Sequence, residues 1–163
     1  MNVAGINERK QLDEIDEDSW NRTMDANVKS QFFLCRAAAE PMKAAGWGRI
    51  INFTSQAAHT GGFYGTSVYA VSKGGVVSLT KNFARILGPD NITVNVIAPA
   101  LANTRIVTDS MTEDGIADVL SATPLGRMAE AEEIAMALAF LASDSAATIT
   151  GHTLDINGGL LMR

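Results

Sequence analysis

One cysteine, Cys35, excludes an internal disulfide framework and suits a reducing compartment, so a cytoplasmic protein is expected. The two histidines, His59 and His152, lie far apart and leave little for a His-based metal site or a Ser-His-Asp triad. Thirteen Lys and Arg against 18 Asp and Glu give a net charge of -5. No basic face of the kind nucleic acid requires is therefore expected. The longest convincing apolar run, Ile134 to Ala142, falls short of the roughly 18–20 residues of a membrane span. The first residues also lack the basic and apolar regions of a signal peptide, so no membrane partner is expected. Neither G-x-G-x-x-G after a strand nor G-x-x-x-x-G-K-[ST], H-E-x-x-H or C-x-x-C occurs. No metal site is expected.

What remains is a 163-residue chain, 47% hydrophobic and 19% charged, a globular composition with room for one domain. Residues 17–45 have helical periodicity through Trp20, Met24, Val28, Phe32, Cys35, Ala39 and Met42. Asp16 and Ser19 stand where a cap is wanted, and Gly46 and Gly48 where a helix ends. Arg49–Thr54 reads as a buried strand, followed by a glycine-rich loop over His59–Gly65. A second helix spans about Ser67 to Leu87, with Gly74 and Gly75 inside it, which implies close approach by another element. Ile92–Ala98 is the next strand, 109–121 a short helical segment, and Glu130–Ser143 a helix apolar all round and so expected to be buried. Thr153–Ile156 is a last strand, and Asn2-Val3-Ala4-Gly5 the end of another. Strands alternating with helices build right-handed crossovers and an α/β fold with a parallel sheet.

Tyr69-Ala70-Val71-Ser72-Lys73 places a phenol and an ammonium on one face of the second helix. A tyrosine with a pKa near 10 is a poor proton donor-acceptor at neutral pH, and a cation within about 4–6 Å lowers it. The pair is thereby fitted to exchange a proton with a substrate hydroxyl or carbonyl. Taken alone, such a pair is equally a solvated helix face. Ser55, however, falls at the C-terminal end of a buried strand, the edge where open parallel sheets place ligands. Its hydroxyl can donate to a substrate oxygen. Cys35, on the apolar stripe, reads as a small core residue rather than a nucleophile.

With these pieces the sequence resembles the short-chain dehydrogenase/reductase family along its length. Asn2–Gly5 matches N-N-A-G, and Trp20 and Asn27 fall in register. Gly48–Ser55 matches the strand that delivers a serine, and Tyr69–Gly75 the Y-x-x-x-K helix. Val94-Asn95 through Pro99 to Thr104 matches N-x-x-x-P-G-x-x-x-T. Thr150-Gly151 to Asp155 and Gly158-Gly159 matches the terminal T-G-x-x-x-x-V-D-G-G.

The resemblance implies a Rossmann-like doubly wound sheet and an NAD- or NADP-dependent oxidoreductase that interconverts a carbonyl and a secondary alcohol. The catalytic residues it implies are Asn27, Ser55, Tyr69 and Lys73. Tyr69 would be the acid/base, Lys73 would lower its pKa and hold the nicotinamide ribose, Ser55 would orient the carbonyl, and Asn27 would hold a relay water. Asn2, Ala4 and Gly5 would line the adenosine side, with Tyr69, Lys73, Pro99, Ala100, Ala102 and Thr104 completing the cofactor contacts. About Asn103 to Leu125 would be the substrate loop, where Met111, Ile116, Val119 and Leu120 imply a partly apolar substrate or lid. The partners implied are a small carbonyl or alcohol substrate and further copies of the chain, as a homodimer or homotetramer paired through residues 17–45 and 67–87.

Three departures stand out. Val3 replaces the second asparagine of N-N-A-G, and Ala100 replaces a glycine, which would be strained if that position needed a positive φ. The glycine-rich βαβαβ half that precedes N-N-A-G in the family, with its NAD- or NADP-selecting residue, has no counterpart here. A truncated domain of about four parallel strands is therefore expected, with a non-catalytic interaction or assembly module as the alternative function.

Overall fold

The structure, a computed structural model, describes every residue except Tyr64 and Ser110, together with all side chains of the described residues but that of Ile106. A nearly continuous helix opens the fold as α1 (Glu17–Met24), a π-helical turn (Asp25–Lys29) and α2 (Ser30–Ala45). Asp16 caps it, accepting from the Ser19 N–H at 2.7 Å, and Gly46 ends it at φ 64°. The π turn adds a residue to one turn and shifts the apolar register. Trp20 and Phe32 of the expected stripe are consequently exposed, whereas Cys35 and Ala39 are buried.

β1 (Gly48–Phe53) leads to a one-turn helix, α3 (Ala57–Thr60), and then to α4 (Ser67–Leu87). The His59–Gly65 loop is therefore helical at its start, and Gly61 and Gly62 turn the chain with φ of 80° and 79°. β2 (Ile92–Pro99) runs between the other strands and is buried from Ile92 to Ala98. Its apolar, β-branched run matches a strand covered on both faces. Beyond it come α5 (Arg105–Thr108), α6 (Glu113–Ser121), α7 (Ala131–Ala142) and β3 (Thr153–Ile156). The helical segment expected over 109–121 is thus α6, with Thr112 as its cap. Tyr64 of the loop and Ser110 of that segment lie outside the described residues.

The sheet is parallel throughout, in the order β1-β2-β3. Asn2 joins its β1 edge through a single parallel bridge to Asn52, with the Asn2 N–H on the Ile51 carbonyl at 2.9 Å. Three strands and a bridge replace the four strands expected. One face of the sheet packs Ile50, Ile92 and Val94 against Cys35, Ala39, Leu79, Phe83 and Leu87 from α2 and α4. The other packs Ile51 and Ile97 against Leu141 of α7 and Ala146. Helices on both faces make the sheet doubly wound.

Two expectations about packing meet different outcomes. Gly75 answers a close approach, since a Cβ there would lie 3.4 Å from a Val28 methyl, whereas one at Gly74 would meet the Ala58 carbonyl at an ordinary 3.8 Å. The prediction that α7 is buried all round fails. Only Leu141 is buried, while Met136 and Phe140 are 72% and 46% exposed. The alanines that make this helix look apolar give it too little bulk to reach beyond a single contact stripe.

Candidate active site

Backbone pairing carries the chain straight from β1 into the site. The Thr54 N–H donates to the Ile97 carbonyl at 2.9 Å and the Gln56 N–H to the Pro99 carbonyl at 3.0 Å, which fixes Ser55 between them. The Ser55 hydroxyl accepts from the Ala57 N–H at 3.2 Å and so starts α3. Two hydrogen bonds join Lys73 to the same strand end. Its ammonium donates to the Phe53 carbonyl at 3.1 Å, and its own carbonyl accepts from the Thr54 hydroxyl at 2.7 Å. Tyr69, one helical turn earlier, carries the Lys73 ammonium over its ring at 5.6 Å from the centroid.

Ser55, Tyr69 and Lys73 thus line one cavity of about 290 Å³ at the C-terminal edge of the sheet. Gly5, Pro99, Ala100, Ala102 and Thr104 line it too, whereas Asn2, Ala4 and Asn27 are not on its wall. Asn2 instead donates to the Asn52 side-chain oxygen at 2.9 Å and contacts the Cys35 sulfur at 3.4 Å. Asn27, fully buried at the π turn, grips Ile6 by both main-chain groups. Its oxygen accepts from the Ile6 N–H at 2.8 Å, and its amide donates to the Ile6 carbonyl at 2.9 Å and to the Ser72 hydroxyl at 2.9 Å. Two of these bonds shape the turn after Gly5, and the third ties the π turn to α4.

Burial controls the proton affinities. It pushes the Tyr69 phenol above its ordinary value, opposed by a hydrogen bond with Ser55. It also pushes the Lys73 ammonium down to about 8. The net direction at Tyr69 is therefore opposite to the lowering that the Lys73 charge alone predicts. Ala100 shows no strain, because among the described residues Asn91 is the non-glycine with positive φ.

The residues present fit a nicotinamide group. Gly5 leaves open a space that a Cβ would fill, 3.0 Å from the Asn27 side-chain oxygen and 3.3 Å from the Lys73 ammonium. Small residues recur on that wall at Ala100 and Ala102, and Thr104 adds a hydroxyl. The volume stands near the lower end of small-molecule sites, about 300 Å³. Sequence reasoning missed Val3, Asn7, Gln56 and Thr66, which also line the cavity. All four lie outside the regular helices and strands, so no periodicity marks them. Of the apolar loop residues, Met111 and Val119 reach the cavity and Ile116 and Leu120 do not.

Residues 1–161 match the family described as enoyl-(acyl carrier protein) reductase. The chain is 35% identical over 163 residues to an uncharacterized short-chain type dehydrogenase/reductase of Sinorhizobium fredii, covering 99% of this chain and 64% of that protein. It belongs to the short-chain dehydrogenase/reductase family. Among its relatives in that family, 3-oxoacyl-[acyl-carrier-protein] reductase FabG of Salmonella typhimurium is 40% identical over 162 residues, 99% of this chain and 66% of the relative. The crystal structure of 3-oxoacyl-[acyl-carrier protein] reductase from Brucella melitensis superposes with a TM-score of 0.93 at 32% identity, covering 99% of this chain and 62% of that one. The chain spans about two thirds of the length of these relatives. The Rossmann-like α/β fold expected from the resemblance is the fold of this short-chain dehydrogenase/reductase.

Proposed function

We propose that the protein is an NAD- or NADP-dependent oxidoreductase that interconverts a small carbonyl compound and a secondary alcohol. The observation that carries this reading is the convergence of Ser55, Tyr69 and Lys73 on one cavity at the C-terminal sheet edge. When bound, the nicotinamide group supplies or takes up the hydride. Gly5, Pro99, Ala100, Ala102 and Thr104 would hold it, with Lys73 on its ribose. In reduction, Tyr69 gives its phenolic proton to the substrate oxygen while the Ser55 hydroxyl orients that oxygen. A phenol raised by burial stays protonated at neutral pH and suits that direction. Asn27 contributes by holding the turn after Gly5, and with it the wall on which the cofactor would rest.

The relatives named as 3-oxoacyl-[acyl-carrier-protein] reductases favour the carbonyl-reducing direction. A cytoplasmic homodimer or homotetramer is the proposed form. Among the described residues no helix is long and apolar enough to cross a membrane. Exposed Phe32, Phe33 and Leu34 on α2 and Val71 and Ile86 on α4 support pairing through those helices. The deciding experiment follows NADH or NADPH oxidation with small ketones and 3-oxoacyl thioesters. Turnover that is lost in Tyr69→Phe supports the assignment. Absence of both dinucleotide binding and turnover favours the interaction or assembly module instead.

A further inference from the structure

Among the described residues, one ionisable side chain besides Tyr69 and Lys73 stands on the cavity wall, that of Arg9. Its place follows from the path of the chain after Gly5. Val3, Gly5, Asn7 and Arg9 line the cavity, whereas Glu8 and Lys10 line a separate small cleft with Ser19 and Thr23. Successive residues of extended chain face opposite ways, and this alternation carries Arg9 to the cavity side. Main-chain pairing pins it there. The Lys10 N–H donates to the Gly65 carbonyl at 2.9 Å, and a Cβ on Gly65 would lie 3.5 Å from the Arg9 Cβ. The flanking charges are committed elsewhere. Both Glu8 oxygens accept from Arg22, at 3.0 and 3.1 Å, and Lys10 pairs with Asp16 at 3.5 Å.

The charge on that wall is of one sign. The chain has a net charge of -5, yet among the described residues no Asp or Glu lines the cavity, while Arg9 and Lys73 do. A cleft with low-dielectric walls and charge of one sign concentrates ligands of the other. Phe63, Val107, Met111 and Val119 supply such walls. Lys73 is buried and bonded to the Phe53 carbonyl, whereas Arg9 is exposed to solvent and to an entering ligand.

We infer that Arg9 binds a carboxylate on the substrate while Ser55 and Tyr69 hold the carbonyl to be reduced. The ligand class is then a short oxo acid and the corresponding hydroxy acid. A guanidinium presents paired donors that match both oxygens of a carboxylate, a fit that neither a neutral ketone nor an acyl thioester offers. In reduction the carbonyl carbon gains the hydride of NADH or NADPH, its oxygen takes the Tyr69 proton, and the carboxylate passes through unchanged. The products are the hydroxy acid and the oxidised dinucleotide, and Tyr69 regains its proton from solvent. This inference rests on the oxidoreductase reading of the same cavity, and its test is arranged so that the two can fail separately.

The experiment uses the full protein and probes matched in shape but not in charge. Reduction of levulinate and of 5-oxohexanoate is compared with that of their methyl esters and of acetoacetyl-N-acetylcysteamine, using NADH and NADPH. Binding of 4-hydroxypentanoate is compared with that of 2-pentanol by saturation-transfer NMR, which needs neither turnover nor cofactor. The expected result is a preference of about tenfold to hundredfold for the acid in kcat/KM, carried by KM and shrinking as salt is added. The ratio of acid to ester should fall toward one in Arg9→Met and recover in part in Arg9→Lys, with melting temperatures confirming that both variants fold. Equal handling of acid and ester by the native protein, a preference for the thioester, or a preference that survives in Arg9→Met overturns the inference. So does an Arg9→Met variant whose main loss is dinucleotide affinity, since the cation would then serve the cofactor. Acid binding that depends on Arg9 without any turnover upholds the inference and removes the oxidoreductase reading. Turnover without preference for the acid does the reverse, and failure of both binding and turnover removes both.

Discussion

The ammonium of Lys73 donates to the main-chain carbonyl of Phe53 at 3.1 Å, from the middle of α4 to the last residue of β1. That bond holds the cation beneath the site, where burial lowers its proton affinity to about 8 from the ordinary 10.5. Below pH 8 the group is charged in both folded and unfolded chains, and the folded state carries the full cost of the buried charge. Between pH 8 and pH 10.5 the unfolded chain binds more protons, so stability rises with pH. Urea unfolding should therefore show a gain over that window of a few kcal/mol at most, about 1.4 kcal/mol for each unit of separation. The gain should vanish in Lys73→Met. A slope that is flat, or the same in the variant, contradicts the assignment.

Tyr69 leads to an activity profile. Its phenol is raised by burial, so the protonated form that reduction needs is present at neutral pH. Alcohol oxidation needs the phenolate and should climb steadily toward alkaline pH, while reduction falls over the same range. Tyr69→Phe should lower kcat by about 10²-fold or more in both directions, given the usual worth of a positioned acid or base. Cofactor affinity, read by dinucleotide fluorescence titration, should change little.

Gly5 is a tight point of the wall. A methyl there would sit 3.0 Å from the Asn27 oxygen and 3.3 Å from the Lys73 ammonium, so Gly5→Ala must displace one of them. Overpacking of this kind costs about 1–3 kcal/mol. Weakened dinucleotide binding should accompany the lower melting temperature, since the methyl also enters the proposed cofactor space.

Asn52 ties strand to helix out of reach of ligand. Its oxygen accepts from the Asn2 amide at 2.9 Å and from the Cys35 thiol at 3.3 Å, and its amide donates to the Thr80 hydroxyl at 3.0 Å. Asn52→Ala strands several buried partners together and should cost about 2–4 kcal/mol. Calorimetry would read this as a fall of several degrees for a chain of this size. An unchanged melting temperature would show that the network is dispensable.

Residue pattern revealed most of this fold, and where it did not, the reason is physical. The largely β-branched run of β2 and the four-residue Tyr69–Lys73 spacing are patterns that sequence carries directly. Ser55 was legible because it ends a strand. The π turn at Asn27 was not, because one added residue in a helix leaves no mark on composition. The exposed side of α7 was misread because alanine counts as apolar while needing no cover. Gln56 and Asn7 escaped notice for a related reason: an amide in a loop is ordinary until its surroundings leave it without a partner.

Lys73 is fastened to β1 twice, through its ammonium to Phe53 and through its carbonyl to Thr54. The proton-handling side of the cavity is thereby a fixed anvil. The opposite side, from Asn103 to Leu125, is anchored by Ala102 and Ala129 at one end and by the Leu125 N–H on Gly158 at the other. Altered substrate fit can therefore arise by rewriting that span alone, with the chemistry of Tyr69 left untouched. One scaffold of this kind can be retuned to new alcohols without being reinvented.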